Sequence, residues 1–458
     1  MKPVFLLLIS CLASVLTLPP GTAAAGSVYY VATNGSDQDP GSVQQPFRTI
    51  AYAATRAHAG DLVVVNPGQY KESVALTRAG TQGAPIVLRG LPGAVLTSPN
   101  PAKSLSAFDI GAHAAFVTVQ NFELAGGFDE TVFVRPGAHD IELSGLRIHN
   151  NHTGIWIAGA SNVVVHDCII DHNFRTGIRI YAGAHHVHVA DTRSEANDDG
   201  LGCNGASDGF NADSSTSDIV FERVSAIGNS QDGFDFKCPN VTLLQAISRD
   251  NGCSGVKLWA GAYVENVLVE GNNTGINAPA SAGTTTVLQN CTMSQNALGV
   301  RVLGSGNTLM MRNCIVTGPA KALSYDSTVQ LIEHHNIFYR PLSKDRLIVR
   351  EDPSGETLYS GDEVNSGQWQ RESGQGQQTV AVDPRLDPAS SELLINSPAI
   401  DSGDPSGAPP VDLVGRARPL GNGFDRGAFE RPPGGAVMRS RSTTVRGYPA
   451  GFDRTRLR

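Results

Sequence analysis

The chain has 458 residues, 40% of them apolar and 17% charged, with a net charge of −8. That length allows a large core, and a repeat protein can use all of it in one domain. Residues 431–458 hold seven Arg against one Asp; without that +6 and Lys2, residues 26–430 carry about −15, which argues against a nucleic-acid binder and suits a protein that holds cations.

Residues 1–25 read as a secretory signal peptide: Lys2, an apolar run over residues 4–18, then Ala23-Ala24-Ala25 before Gly26. No other run is apolar and long enough to span a bilayer, so the expectation is an exported protein, cleaved near Ala25, with no stable membrane insertion. Residues 26–115 predict an N-terminal cap and first coils. Within them, residues 47–54 (FRTIAYAA) pattern as a short amphipathic helix ended by Gly60, suited to covering the open end of a stack of strands.

Regular coils are expected over residues 116–320, because one short phrase recurs there. It stands as Asp208-Gly209-Phe210-Asn211, Asp232-Gly233-Phe234-Asp235 and Ser254-Gly255-Val256-Lys257, and again after Gly154, Gly177, Gly275 and Gly299. An Asn keeps the same period at 150, 173, 197, 229, 251, 272 and 296, every 21–24 residues except for one interval of 32. Such a period with β-type runs means one solenoid turn per repeat. The residues one and three places after each Gly are apolar (Ile155/Ile157, Phe234/Phe236, Val256/Leu258), so they face inward by strand alternation. A second strand follows in each turn, VVVHDCII for example, and the Asn punctuates the bend. The expected fold is all-β, a right-handed parallel β-helix, with the hand taken from the crossover rule.

Residues 321–430 predict irregular late coils and a C-terminal cap. Inside them the Gly, Ser, Glu and Gln-rich residues 351–378 are expected on the outside and residues 383–430 as the cap. Residues 431–458 form a basic tail of disordered composition. Cys168, Cys291 and Cys314 occupy equivalent places and are expected to stack in the core. Cys203, Cys238 and Cys253 crowd one region, where Cys203 with Cys253 or Cys238 with Cys253 could form a disulfide.

The chemistry lies on the outward positions. Two residues past each Gly, the stack reads Phe133 (by alignment), Trp156, Arg179, Asn211, Asp235, Lys257, Asn277, Arg301. Asp208 and Asp232 should sit on adjacent coils with Asp235 close by, and three such carboxylates repel by roughly 3–4 kcal/mol per pair at a dielectric near 20. A hard cation removes that repulsion, and Ca²⁺ suits an exported multi-carboxylate site to which Gln231 can add a carbonyl oxygen. Lys257, expected beside Asp235, is placed to act as a Brønsted base for β-elimination of a uronate. Lys237 and Trp259 face the same groove, and Arg179 and Arg301 flank it as candidates for holding substrate carboxylates.

The run SDGF…NSQDGFDF…NGCSGVKLWAG resembles the calcium and base segment of the family nine polysaccharide lyases, secreted β-helix pectate lyases. The resemblance implies Asp208, Asp232 and Asp235 as calcium ligands and Lys257 as the base. Gln231 stands where that family has a fourth Asp, which lowers the negative charge of the site. The expectation is therefore a monomeric, calcium-dependent lyase acting on an acidic polysaccharide, pectate foremost. Two other classes share the fold: a non-catalytic, calcium-stabilised wall-binding protein, and a polygalacturonase-like hydrolase using the carboxylate pair Asp198-Asp199. His185, His186 and His188 straddle a turn and an alternating strand and are not expected to gather around a metal.

Overall fold

A computed structural model describes residues 26–279, 283–318, 320–341 and 345–433. The signal peptide read at residues 1–25 and the basic tail from residue 434 onward lie outside the described residues. The chain winds as a right-handed parallel β-helix of three sheets with 13, 13 and 12 strands, each sheet taking about one strand from every coil. Among the described residues no helix is long and apolar enough to cross a membrane.

The inward pairs of the repeat form the core. Ile155, Ile157, Phe234, Phe236, Val256 and Leu258 are fully buried. The repeated glycine is a matter of space, since a Cβ on Gly233 would run into Ser248 Oγ and the backbone oxygen of Gly255 on the next coil. Each regular coil has three strands rather than the two expected. VVVHDCII divides into Ser161–His166 and Ile169–Asp171, because Asp167 between them takes a left-handed conformation at φ 55°.

The periodic Asn is buried, not a solvent-facing turn. Asn173 donates from its backbone and side-chain nitrogens to Asn197 Oδ1 (3.0 and 3.1 Å), and the pattern repeats through Asn229, Asn251, Asn272 and Asn296. Leaving one such amide unpaired costs about 1–3 kcal/mol, so this ladder holds adjacent coils in register. Its first member is Asn151, whose backbone N–H bonds Asn173 Oδ1, and not Asn150, which is the left-handed residue before it.

Parallel pairing starts at Val28–Val31 against Leu62–Val65, well before residue 116. The helix Ile50–Arg56, capped by Thr49 Oγ1, buries Ile50, Ala53 and Ala54 against the first coils. At the other end one expectation is qualified and one corrected. Residues 351–378 are mostly exposed or half-exposed, as expected of an outer excursion, but not throughout: Trp369, in the helix Gln368–Ser373, is fully buried against Phe338 and Tyr359 and closes the core. Residues 383–430 do not cap the end; they run back along the third sheet, burying Leu413, Ala428 and Phe429 on Leu268. There the Arg418–Glu430 pair (2.7 Å) is wholly buried, with Arg418 also donating to Asn266 Oδ1.

Candidate functional site

The outer face of the second sheet carries the row read from the repeat. Phe133, Trp156, Arg179, Asn211, Asp235, Lys257, Asn277 and Arg301 are paired in register, strand to strand. The turn before each strand supplies Asp208 and Asp232, each of which accepts from the coil that follows it: the Asp232 N–H donates to Asp208 Oδ1 (3.2 Å), and the Ser254 N–H donates to Asp232 Oδ1 (2.7 Å). Regular stacking of the repeat therefore draws the three aspartates together.

Asp208, Asp232 and Asp235 are all buried, and one oxygen of each lies within 4.8 Å of the others. Burial, reinforced by the charges of Asp235 and Asp232, pushes the Asp208 carboxyl well above its ordinary range. Burial also raises Asp232, against the pull of Lys257. Two lysines answer the charge. Lys237 Nζ lies 2.9 Å from Asp235 Oδ2; burial opposes its charge, but Asp235 prevails and holds the ammonium above the usual lysine value. Lys257 Nζ lies 3.3 Å from Asp232 Oδ2 and 5.0 Å from the Trp259 ring. Lys257 is the strand neighbour of Asp235 as expected, but its ion pair is with Asp232, because its long side chain reaches back across the face.

Trp259 faces the same centre, donating from Nε1 to Asp235 Oδ1 at 2.7 Å. Asn211, left unassigned by the sequence pattern, bridges Asp208 and Asp235 through Nδ2, 3.1 Å from each. Its signal was present: the phrase Asp208-Gly209-Phe210-Asn211 puts Asn211 where the next coil has Asp235. Gln231 Oε1 is buried with no hydrogen-bond partner among the described residues. A cluster of buried carboxylates with an orphaned amide oxygen on the residue beside Asp232 fits a hard cation that takes oxygen ligands.

Arg179 and Arg301 stand two and three strands from Asp235 on opposite sides, and neither has a carboxylate partner among the described residues. The disulfide is Cys203–Cys253, tying the insertion of residues 198–207 to the coil just before Ser254; Cys238 is buried and free. Cys168 is also buried and free, but only Cys291 and Cys314 of the expected stack are neighbours. Asp198 and Asp199 staple that insertion through backbone hydrogen bonds. Asp198 accepts from the Gly200 N–H, and Asp199 accepts from those of Leu201 and Ala206. His186 and His188 point to different partners, Asp218 and Glu222.

A family model described as the Pel9A-like right-handed β-helix region matches residues 29–317. Among curated proteins, the chain is similar to the uncharacterized protein YwoF of Bacillus subtilis (strain 168), 31% identical over 173 residues, which is 36% of this chain and 32% of that protein. It is also similar to pectate lyase PEL9 of Emericella nidulans, 24% identical over 214 residues, 45% of this chain and 48% of that one. The matched segments thus span about a third and about half of the curated relatives. The crystal structure of pectate lyase Pel9A superposes with a TM-score of 0.53 at 19% identity, covering 89% of this chain and 97% of that one, a likeness of fold. With the family model running through the regular coils and the aspartate–lysine centre, the chain belongs to the Pel9A-like right-handed β-helix family.

Proposed function

We propose that the protein is an exported lyase that cleaves a uronate-containing polysaccharide, pectate foremost, by β-elimination. The observation that carries this reading is the placement of Lys257 Nζ 3.3 Å from a buried three-carboxylate cluster on the outer, accessible face of a parallel sheet. Asp208, Asp232 and Asp235 would hold a calcium ion, with Gln231 Oε1 as a further oxygen. Bound there, calcium would take the sugar carboxylate and acidify the neighbouring C5 proton. Lys257 removes that proton; the C5–H electron pair becomes the C4=C5 double bond, the C4–O bond breaks, and the departing sugar oxygen takes up a proton. Lys237 and Trp259 hold Asp235 in place from one side. Arg179 and Arg301, free of carboxylate partners among the described residues, would receive uronate groups on either flank.

One observation favours a second reading, a calcium-stabilised wall-binding protein without catalysis: both lysines are paired to the aspartates, as in a structural charge network. The two part company in a direct assay. The protein is incubated with pectate, methylated pectin, alginate and chondroitin, with calcium and with chelator, and unsaturated uronate is followed by its absorbance. A lyase yields product from pectate only with calcium; absence of product from every polymer with calcium present refutes it.

A further inference from the structure

The face that carries the aspartate–lysine centre continues into a second feature. Phe133, Trp156 and Tyr181 are half-buried rings on three successive strands of the same sheet. Phe133 and Trp156 stack at 5.7 Å with 27° between their planes, and Trp156 and Tyr181 lie 5.1 Å apart. The Arg179 guanidinium sits over both of the latter, 5.2 Å from Trp156 and 5.4 Å from Tyr181. Trp156 Nε1 is buried with no hydrogen-bond partner among the described residues. Arg179 is the informative member. In a chain of net charge −8 it has no carboxylate partner among the described residues, while Arg135 two strands away is paired with Asp109. With its faces against rings, a guanidinium keeps its edge donors for a planar anion.

We propose that Phe133, Trp156, Tyr181 and Arg179 form a distal subsite for a uronate unit of the same polymer, with the sugar lying across the outer edges of the aromatic strip and its carboxylate on Arg179. This rests on a uronate polymer being the ligand of the aspartate–lysine centre. The occupant follows from continuity: Trp156 and Lys257 belong to one in-register row, four strand spacings apart, about 19 Å along the stack. An extended chain on Lys257 that follows this row must cross the aromatic strip, and a disaccharide bound at the centre cannot reach it. The subsite makes the protein select for chain length.

The test uses the full-length protein with saturating calcium, a galacturonate dimer and an octamer. Binding is read from tryptophan fluorescence and cleavage from unsaturated product, for wild type, Trp156→Ala, Trp156→Phe and Arg179→Gln. Trp156→Ala should raise the octamer KM and Kd roughly three- to tenfold, leave dimer binding and kcat unchanged, and be rescued by Trp156→Phe. Arg179→Gln, which keeps the rings, should weaken the octamer more than the dimer and serves if Trp156→Ala fails to fold. An unchanged ratio of octamer to dimer affinity in these variants overturns the subsite. If the wild type cleaves nothing yet binds the octamer through Trp156, the subsite stands and the lyase reading falls. If it binds no uronate at all, both fall.

Discussion

Replacing Asp208 with Asn tests whether the buried cluster is built around a cation. Three carboxylate oxygens within 4.8 Å repel by about 3.5 kcal/mol per pair at an effective dielectric of 20, so Asp208 takes part in about 7 kcal/mol of gross repulsion. Lys237 and Lys257 offset part of this, and Asp208 escapes more by holding its proton, as its raised affinity implies. Against the remainder, the substitution costs about 1 kcal/mol, since Asn211 Nδ2 loses one of its two acceptors. The sign with pH follows. A carboxyl raised on folding costs nothing below the ordinary aspartate value of about 3.9, and its penalty grows as pH climbs through the raised value. In chelator, the variant should therefore fall about 1 kcal/mol below wild type at low pH and exceed it in melting temperature at pH 7–8. Wild type should recover on adding calcium, by about 2.7 kcal/mol at a hundredfold excess over Kd, and the variant should gain much less. Thermal unfolding in chelator and in calcium across that pH range measures both. A variant that melts below wild type in chelator at pH 8 and keeps the full calcium response refutes the reasoning.

Gln231→Asp should tighten calcium binding, because it adds a charge beside Asp232 where an orphaned carbonyl now sits; calorimetric titration checks it, and unchanged affinity would mean Gln231 is no ligand. Calcium affinity should fall on acidification from neutral pH, since burial raises both Asp208 and Asp232 and protons compete for the same oxygens. A flat affinity between pH 8 and 5 would contradict this.

Much of the centre was legible because the Gly–apolar–x–apolar phrase sets both register and facing. Once Gly209, Gly233 and Gly255 are aligned, Asn211, Asp235 and Lys257 must share a row. What the pattern could not resolve depends on single dihedral angles and side-chain reach. The break of VVVHDCII into two strands turns on a left-handed Asp167, and the displacement of the buried ladder from Asn150 to Asn151 on a left-handed Asn150. The pairing of Lys257 with Asp232 rather than Asp235 is a diagonal contact that strand register does not specify. In the late segment, Trp369 departs from its surroundings for another reason. Gly and Gln around Trp369 read as solvent-exposed, yet the open end of the stack offers that one ring a full burial that outweighs its polar neighbours.

The most direct measurement is the rate of unsaturated uronate formation from pectate by full-length Lys257→Ala at saturating calcium, alongside its melting temperature and calcium titration. Loss of a general base predicts a fall of roughly 10²–10⁴-fold with folding and calcium binding retained. A rate near wild type would contradict the role of Lys257, and with it the proposed chemistry.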